Sequence, residues 1–256
     1  MAAAHSPDAE PVIRLAGINK WYGEYHALRD IELAVSAGER VVICGPSGSG
    51  KSTLVRTVNL LEPFQEGTLT VCGLTVRADA ITRAARLSVN RRVGMVFQQF
   101  NLFPHMTALA NCTVGPIWGA GVSRREANER AMHYLDRVGL AQFAQRYPAQ
   151  LSGGQQQRVA IARTLTTRPQ VVLFDEPTAS LDPEMVHEVL QTMENLASEG
   201  MTMMIVTHEM GFARRVAHRL VFMDQGQIQE IASADDFFVR PQSARLRVFL
   251  GQVLTH

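Results

Sequence analysis

Apolar positions recur at short intervals near the start of the chain: Val12, Ile13, Leu15 and Ile18, then Leu28, Ile31, Leu33 and Val35. This spacing predicts antiparallel strands over residues 12–35, with Trp21-Tyr22-Gly23 at the turn between them. Ser36-Ala37-Gly38-Glu39 reads as a second turn. It leads into Val41-Val42-Ile43-Cys44, a continuous apolar run that predicts a buried strand. Residues 68–72 form another β-like run, closed by Gly73. Residues 78–89 have helical composition, and residues 92–97 predict a strand ending at Gln98-Gln99.

Beyond that point the pattern changes period. Residues from about 100 to 166 read almost wholly as helices and turns, and Ala127, Ala131, Leu135 and Val138 fall on one helical face. A stretch of this kind between strands predicts an inserted helical subdomain. The sheet resumes with Val171-Val172-Leu173-Phe174. A helix follows, striped by Val186, Val189, Leu190, Met193 and Leu196, and then a strand at Met203-Met204-Ile205-Val206. After a helix over residues 211–217, Asp224-Gln225-Gly226 marks a hairpin between two short apolar runs. The end of the chain, with Phe237-Phe238 and Val248-Phe249-Leu250, reads as helical. Residues 1–10 are expected to be a loose tail without the character of a secretory leader, and residues 11–256 one domain.

Composition narrows the classes. With 256 residues and 46% apolar composition, the chain can bury a sizeable core. A net charge of +1 with scattered basic residues gives no electrostatic footprint for nucleic acid. Cys44, Cys72 and Cys112 are odd in number and lack metal-ligand spacing, which suggests reduced thiols in a cytosolic protein. No apolar run is long enough to cross a bilayer, so any membrane association is expected to go through a partner.

Candidate chemistry concentrates in Gly45-Pro46-Ser47-Gly48-Ser49-Gly50-Lys51-Ser52, which lies between the buried strand and the helix opened by Thr53-Leu54-Val55-Arg56. Holding a triphosphate requires several backbone N–H groups converging on one point, which Cβ atoms would obstruct; hence Gly45, Gly48 and Gly50. The helix start adds the positive end of its dipole. Lys51 is expected to reach the β- and γ-phosphates, and the Ser52 hydroxyl to ligate Mg²⁺. Asp175-Glu176-Pro177 ends a buried strand, where ligands of parallel sheets gather, and two carboxylates there are costly without a cation. Asp175 is expected to support Mg²⁺ and Glu176 to polarise the attacking water. Leu151-Ser152-Gly153-Gly154-Gln155-Gln156-Gln157-Arg158 can be read in two ways. Ser152 and Gln155 have capping-box spacing before a helix at residues 158–165, yet paired glycines suit a close approach to the backbone by another group.

The glycine loop, the Leu-Ser-Gly-Gly-Gln stretch and the strand ending in Asp175-Glu176, in this order and spacing, resemble the nucleotide-binding subunit of an ATP-binding cassette (ABC) transporter over nearly the whole chain. The resemblance implies an α/β fold: a P-loop NTPase core with a mixed sheet, an antiparallel β subdomain and the inserted helices. It implies that Tyr22, with Trp21 as competitor, stacks on adenine. Gln98, with Gln99 beside it, takes the place of a glutamine that touches Mg²⁺ and water and links to the membrane partner. His208 matches a histidine that contacts the γ-phosphate. Ser152, Gly153, Gly154, Gln155 and Asp182 are implied to act on ATP held by a second copy. Where the family more often has Ser-Ala-Leu-Asp, this chain has Ala179-Ser180-Leu181-Asp182, which implies a modest effect on coupling across the dimer.

Residues 59–62, 97–107 and 247–250 are most similar to bacterial importers of polar amino acids. That likeness implies permease subunits in the membrane, a solute-binding protein as indirect partner, and a peripheral place on the cytoplasmic face of the inner membrane. Importers of another small solute and soluble non-transport ATPases of the family are the alternatives. A GTPase would need Asn-Lys-x-Asp, and Asn19-Lys20 is followed by Trp21-Tyr22.

Overall fold

The computed structural model describes residues 10–253; the expected tail over residues 1–10 lies, but for Glu10, outside the described residues. Strand β1 (Ile13–Tyr22) turns through Gly23-Glu24 into β2 (Tyr25–Val35), and β3 (Arg40–Cys44) runs up to the glycine loop and helix α1 (Lys51–Val58). Then come β4 (Glu66–Val71), β5 (Leu74–Arg77), α2 (Arg83–Asn90) and β6 (Val93–Val96). Helices α3 (Ala108–Val114), α4 (Arg124–Arg137) and α5 (Gly153–Leu165) separate β6 from β7 (Val171–Asp175). The chain closes with α6 (Pro183–Ser198), β8 (Thr202–Val206), α7 (Met210–Val216), β9 (Arg219–Asp224), β10 (Gln227–Ser233), α8 (Ala234–Val239) and α9 (Ala244–Val253).

Two sheets result. The antiparallel one has the order β2-β1-β4-β5, and the mixed one β10-β9-β3-β8-β7-β6. In the second, only the β10 and β9 pair is antiparallel. Successive side chains of its central strands point to opposite faces, and both faces are covered. Val41, Ile43, Val171, Leu173, Met204 and Val206 pack toward the antiparallel sheet and α1. Val42, Cys44, Val172, Phe174, Met203 and Ile205 pack into the cluster built by α5, α6 and α7. This two-sided burial explains why β3, β7 and β8 read as unbroken apolar runs instead of alternating ones.

Three local readings change. The turn of the first hairpin is Gly23-Glu24, and Trp21 and Tyr22 belong to the strand. Gly73 does not end the β region: Cys72-Gly73 is a hairpin turn into β5, which pairs Leu69 with Val76. Helix α5 begins at Gly153, well before residue 158. The alignment of Ala127, Ala131 and Leu135 on α4 holds, all three being buried.

The crossing of β1 and β4 depends on two glycines. Gly67 has φ +96°, and a Cβ placed on it would lie 2.4 Å from the carbonyl oxygen of Gly17 in the irregular stretch of β1. Gly67→Ala therefore combines backbone strain with a backbone clash and should cost about 1–3 kcal/mol, lowering the thermal unfolding midpoint by about 2–10 °C. Calorimetric melting of the variant checks this, and an unchanged midpoint contradicts the packing described.

Candidate functional site

The parallel register of β3, β8, β7 and β6 brings four strand ends to one edge of the sheet. The glycine loop follows β3, His208 lies two residues past β8, Asp175-Glu176 end β7, and Gln98 lies two residues past β6.

In the loop, Gly45, Gly48 and Gly50 all have positive φ, at 149°, 77° and 97°. The demand for glycine is partly the protein's own packing. A Cβ on Gly45 would fall 2.0 Å from the Met223 carbonyl oxygen, and one on Gly50 would fall 2.8 Å from that of Ala27. Gly48 faces open space, so there the conformation alone selects glycine. The β9–β10 turn supports the loop through a Gly226 N–H donated to the Ser49 carbonyl at 3.1 Å. The Tyr25 hydroxyl donates to the Gly48 carbonyl at 3.3 Å. Sequence reasoning missed both supports. Gly50 is the N-cap of α1 and offers no side chain, so no side-chain cap competes for the first N–H groups of the helix.

Lys51 is buried, and its Nζ donates to the Gly45 and Pro46 carbonyls, each at 2.9 Å. Burial pushes its pKa down, while Glu176, Cys44 and Asp175 push it up. Asp175 is 1% exposed. Arg56 of α1 grips its Oδ2, with Nε at 2.8 Å and a terminal guanidinium nitrogen at 2.7 Å. Asp175 Oδ1 is buried and has no hydrogen-bond partner among the described residues. An orphaned buried carboxylate oxygen is a hard donor of the kind a magnesium ion takes, so Asp175 fits that ion.

Glu176 has φ +50° and donates its N–H to the Val206 carbonyl at 3.0 Å, so the β7 to β8 pairing continues one residue past the strand. Its Oε1 lies 3.4 Å from His208 Nε2. The hydrogen bond from His208 is the main reason that its carboxyl lies below the ordinary value of 4.5; burial opposes this, and the charges of His208, Lys51 and Arg56 add to it. The lowered pKa keeps Glu176 ionised to more acidic pH, as a group that polarises water must be. Gln98 and Gln99 are both exposed, and neither side chain makes a hydrogen bond among the described residues. The structure therefore brings together the glycine loop, Asp175, Glu176 and His208, but does not join Gln98 to them by contact.

Tyr22 is 43% exposed and carries the Lys20 ammonium 4.5 Å from its ring centroid. Trp21 stacks instead on His26, with centroids 4.1 Å apart. Of the two aromatics, Tyr22 has the available ring.

The Ser152 stretch satisfies the capping reading. Ser152 Oγ accepts from the Gln155 N–H at 3.2 Å, and Gln155 Oε1 accepts from the Ser152 N–H at 3.1 Å, which is a complete capping box. The close approach that the glycines permit comes from within the chain. A Cβ on Gly153 would meet Leu181 at 3.1 Å and one on Gly154 would meet Met185 at 3.0 Å. No hydrogen bond links residues 152–155 to residues 45–53. Asp182 is the exposed N-cap of α6.

A family described as ABC transporter matches residues 28–179. The chain is 56% identical to the "Uncharacterized amino-acid ABC transporter ATP-binding protein YhdZ" of Escherichia coli K12, covering 96% of both proteins. It is 56% identical to the "General L-amino acid transport ATP-binding protein AapP" of Rhizobium johnstonii, over 96% of this chain and 94% of that protein. Identity to the "Glutamate/aspartate import ATP-binding protein GltL" of E. coli K12 is 54%, over 95% of this chain and 100% of that protein. The solved "Dimeric Structure of MJ0796, a Bacterial ABC Transporter Cassette" superposes with a TM-score of 0.77 at 36% identity, over 87% of this chain and 98% of that one. A post-hydrolysis dimer of the same cassette with ADP and Pi gives the same TM-score of 0.77.

Because the Glu176 carboxyl is held down chiefly by His208, His208→Ala should move its titration up toward the ordinary value. A carboxyl whose pKa folding lowers favours the folded state above its ordinary pKa and loses that contribution as pH falls through the lowered value. Carboxyl-carbon NMR titration of glutamate-labelled protein reads the midpoint directly. A Glu176 midpoint unmoved in the variant removes His208 as the cause.

Proposed function

The chain belongs to the ABC transporter family, and from that premise we propose that it is the ATP-hydrolysing subunit of a membrane importer for polar amino acids, working as a homodimer on permease subunits at the cytoplasmic face of the inner membrane. The observation that carries the reading is the convergence of the glycine loop, Asp175, Glu176 and His208 on one sheet edge. Relatives named for amino acid transport support the solute class.

In the proposed reaction, the first N–H groups of α1 and Lys51 hold the phosphates of ATP, and the free face of the Tyr22 ring stacks on adenine. Each such stack contributes about 1–3 kcal/mol. Ser52, Asp175 and Gln98 would hold Mg²⁺, which when bound offsets charge on the β- and γ-phosphates. Glu176 orients a water in line with the γ-phosphorus. The water oxygen bonds to the γ-phosphorus as the bond to the β,γ-bridging oxygen breaks, the water's protons leave with the phosphate and to solvent, ADP is released, and His208 steadies the transferred group.

Within one chain the Ser152 corner packs on Leu181 and Met185. Its other side, half-buried in the single chain, would meet the phosphate held by a second copy, in a two-fold arrangement. Asp182 lies at the same boundary. Closure is opposed by phosphate charge and favoured by the donors around it. A groove of about 410 Å³ is lined by Leu61, Phe97, Phe103, Asn111 and Arg163, so it includes the residue before Gln98. This apolar recess suits a segment of a membrane subunit. No described helix is long and apolar enough to cross a membrane.

Glu176→Gln should keep ATP binding, lose hydrolysis by about 10²-fold or more, and collect as a dimer with ATP when followed by light scattering. Lys51→Ala should lose ATP affinity in calorimetry. Ordinary turnover in the first variant, or ordinary affinity in the second, overturns the assignment. Co-purification of permease subunits from membranes, followed by uptake assays with polar amino acids, tests the transport role.

A further inference from the structure

Arg56 has no role in the reading above, yet it makes the main polar contact of the most deeply buried carboxylate at the site. It lies four residues after Ser52 on α1, so the two share a helix face one turn apart. Two of its nitrogens, at 2.8 and 2.7 Å, reach the same oxygen, Asp175 Oδ2, across 119 residues of sequence. The other oxygen, Oδ1, is buried without a partner among the described residues. The carboxylate side chain is 2% exposed and the arginine 40%. A carboxylate that accepts two N–H groups on one oxygen has its rotation about Cβ–Cγ fixed, and the geometry decides which oxygen remains to ligate.

Resting on the proposed Mg²⁺ reading, we infer that Arg56 is a positioning residue for that ion. It fixes Asp175 through Oδ2 so that Oδ1 is the one oxygen left to ligate. The fork geometry matters as well as the charge. A guanidinium places two donors in one plane at a fixed spacing, whereas the ammonium of a lysine is a point charge on a flexible stem. Partners that orient a metal ligand from behind typically change metal affinity by about 10–100-fold when removed. Among the described residues the side-chain hydrogen bonds of Arg56 go to Asp175, so its removal should act on the metal and spare the metal-independent part of nucleotide binding.

The test compares the full-length protein with Arg56→Lys and Arg56→Met. Mn²⁺ binding in the presence of ATP is read from the free-ion signal in electron paramagnetic resonance. The affinity for a fluorescent ATP analogue is read with Mg²⁺ and with EDTA. Both variants should bind Mn²⁺ at least about tenfold more weakly, with analogue affinity in EDTA unchanged. Arg56→Met leaves Asp175 as an unpaired buried charge and could fail to fold; Arg56→Lys keeps a positive charge there, and its melting curve verifies the fold. Wild-type Mn²⁺ affinity in Arg56→Lys overturns the positioning role, because charge alone then suffices. If the wild-type protein itself gains no affinity for the analogue on adding Mg²⁺, the metal reading has failed and the inference with it. A metal-dependent gain kept in full by both variants sinks the inference alone.

Discussion

The site rests on the register between β7 and β8. Asp175 pairs with Val206, and the next N–H, that of Glu176, continues the ladder to the Val206 carbonyl at 3.0 Å. That bond requires Glu176 to adopt φ +50°, which turns its side chain out of the strand pattern and toward His208. A slip of one residue would invert every side chain of a strand buried on both faces and would separate the carboxylate from the histidine. The apolar packing of Val171 to Phe174 on both sides of the sheet therefore also fixes how the carboxylate and the histidine meet.

The legible parts of the chain were those set by local pattern. The continuous apolar runs of β3, β7 and β8 identify themselves, because two-sided burial leaves no polar position to interrupt them. The glycine loop is legible because its backbone demands are strict at fixed spacing. Strand β5 was not. It has four residues, and only Val76 is buried, so no periodicity could develop. Which of the adjacent Trp21 and Tyr22 keeps an available ring could not be read from their adjacency either; it depends on His26, across the hairpin, stacking on the tryptophan.

Arg56 shows where such reading stops. Its partner lies far along the chain, and nothing in the spacing of α1 announces it. One signal was available in principle: a carboxylate after four buried apolar residues needs a counter-charge. Sequence reasoning looked to a metal for that need, whereas the fold gives one oxygen to an arginine and leaves the other without a partner among the described residues. The paired glycines after Ser152 teach a similar lesson. They were expected to admit an outside group, and what approaches them first is Leu181 and Met185 of the same chain. The start of α5 and the approach to α6 are thus packed closely against each other.

Lys51 already has two carbonyl partners within its own loop. A phosphate that binds there exchanges one set of contacts for another, so the gain is a difference between two well-satisfied arrangements and not the full strength of an ammonium-phosphate pair. A hand that always has something to hold can let go at little cost, which suits a machine that must release its spent fuel as readily as it takes up the next charge.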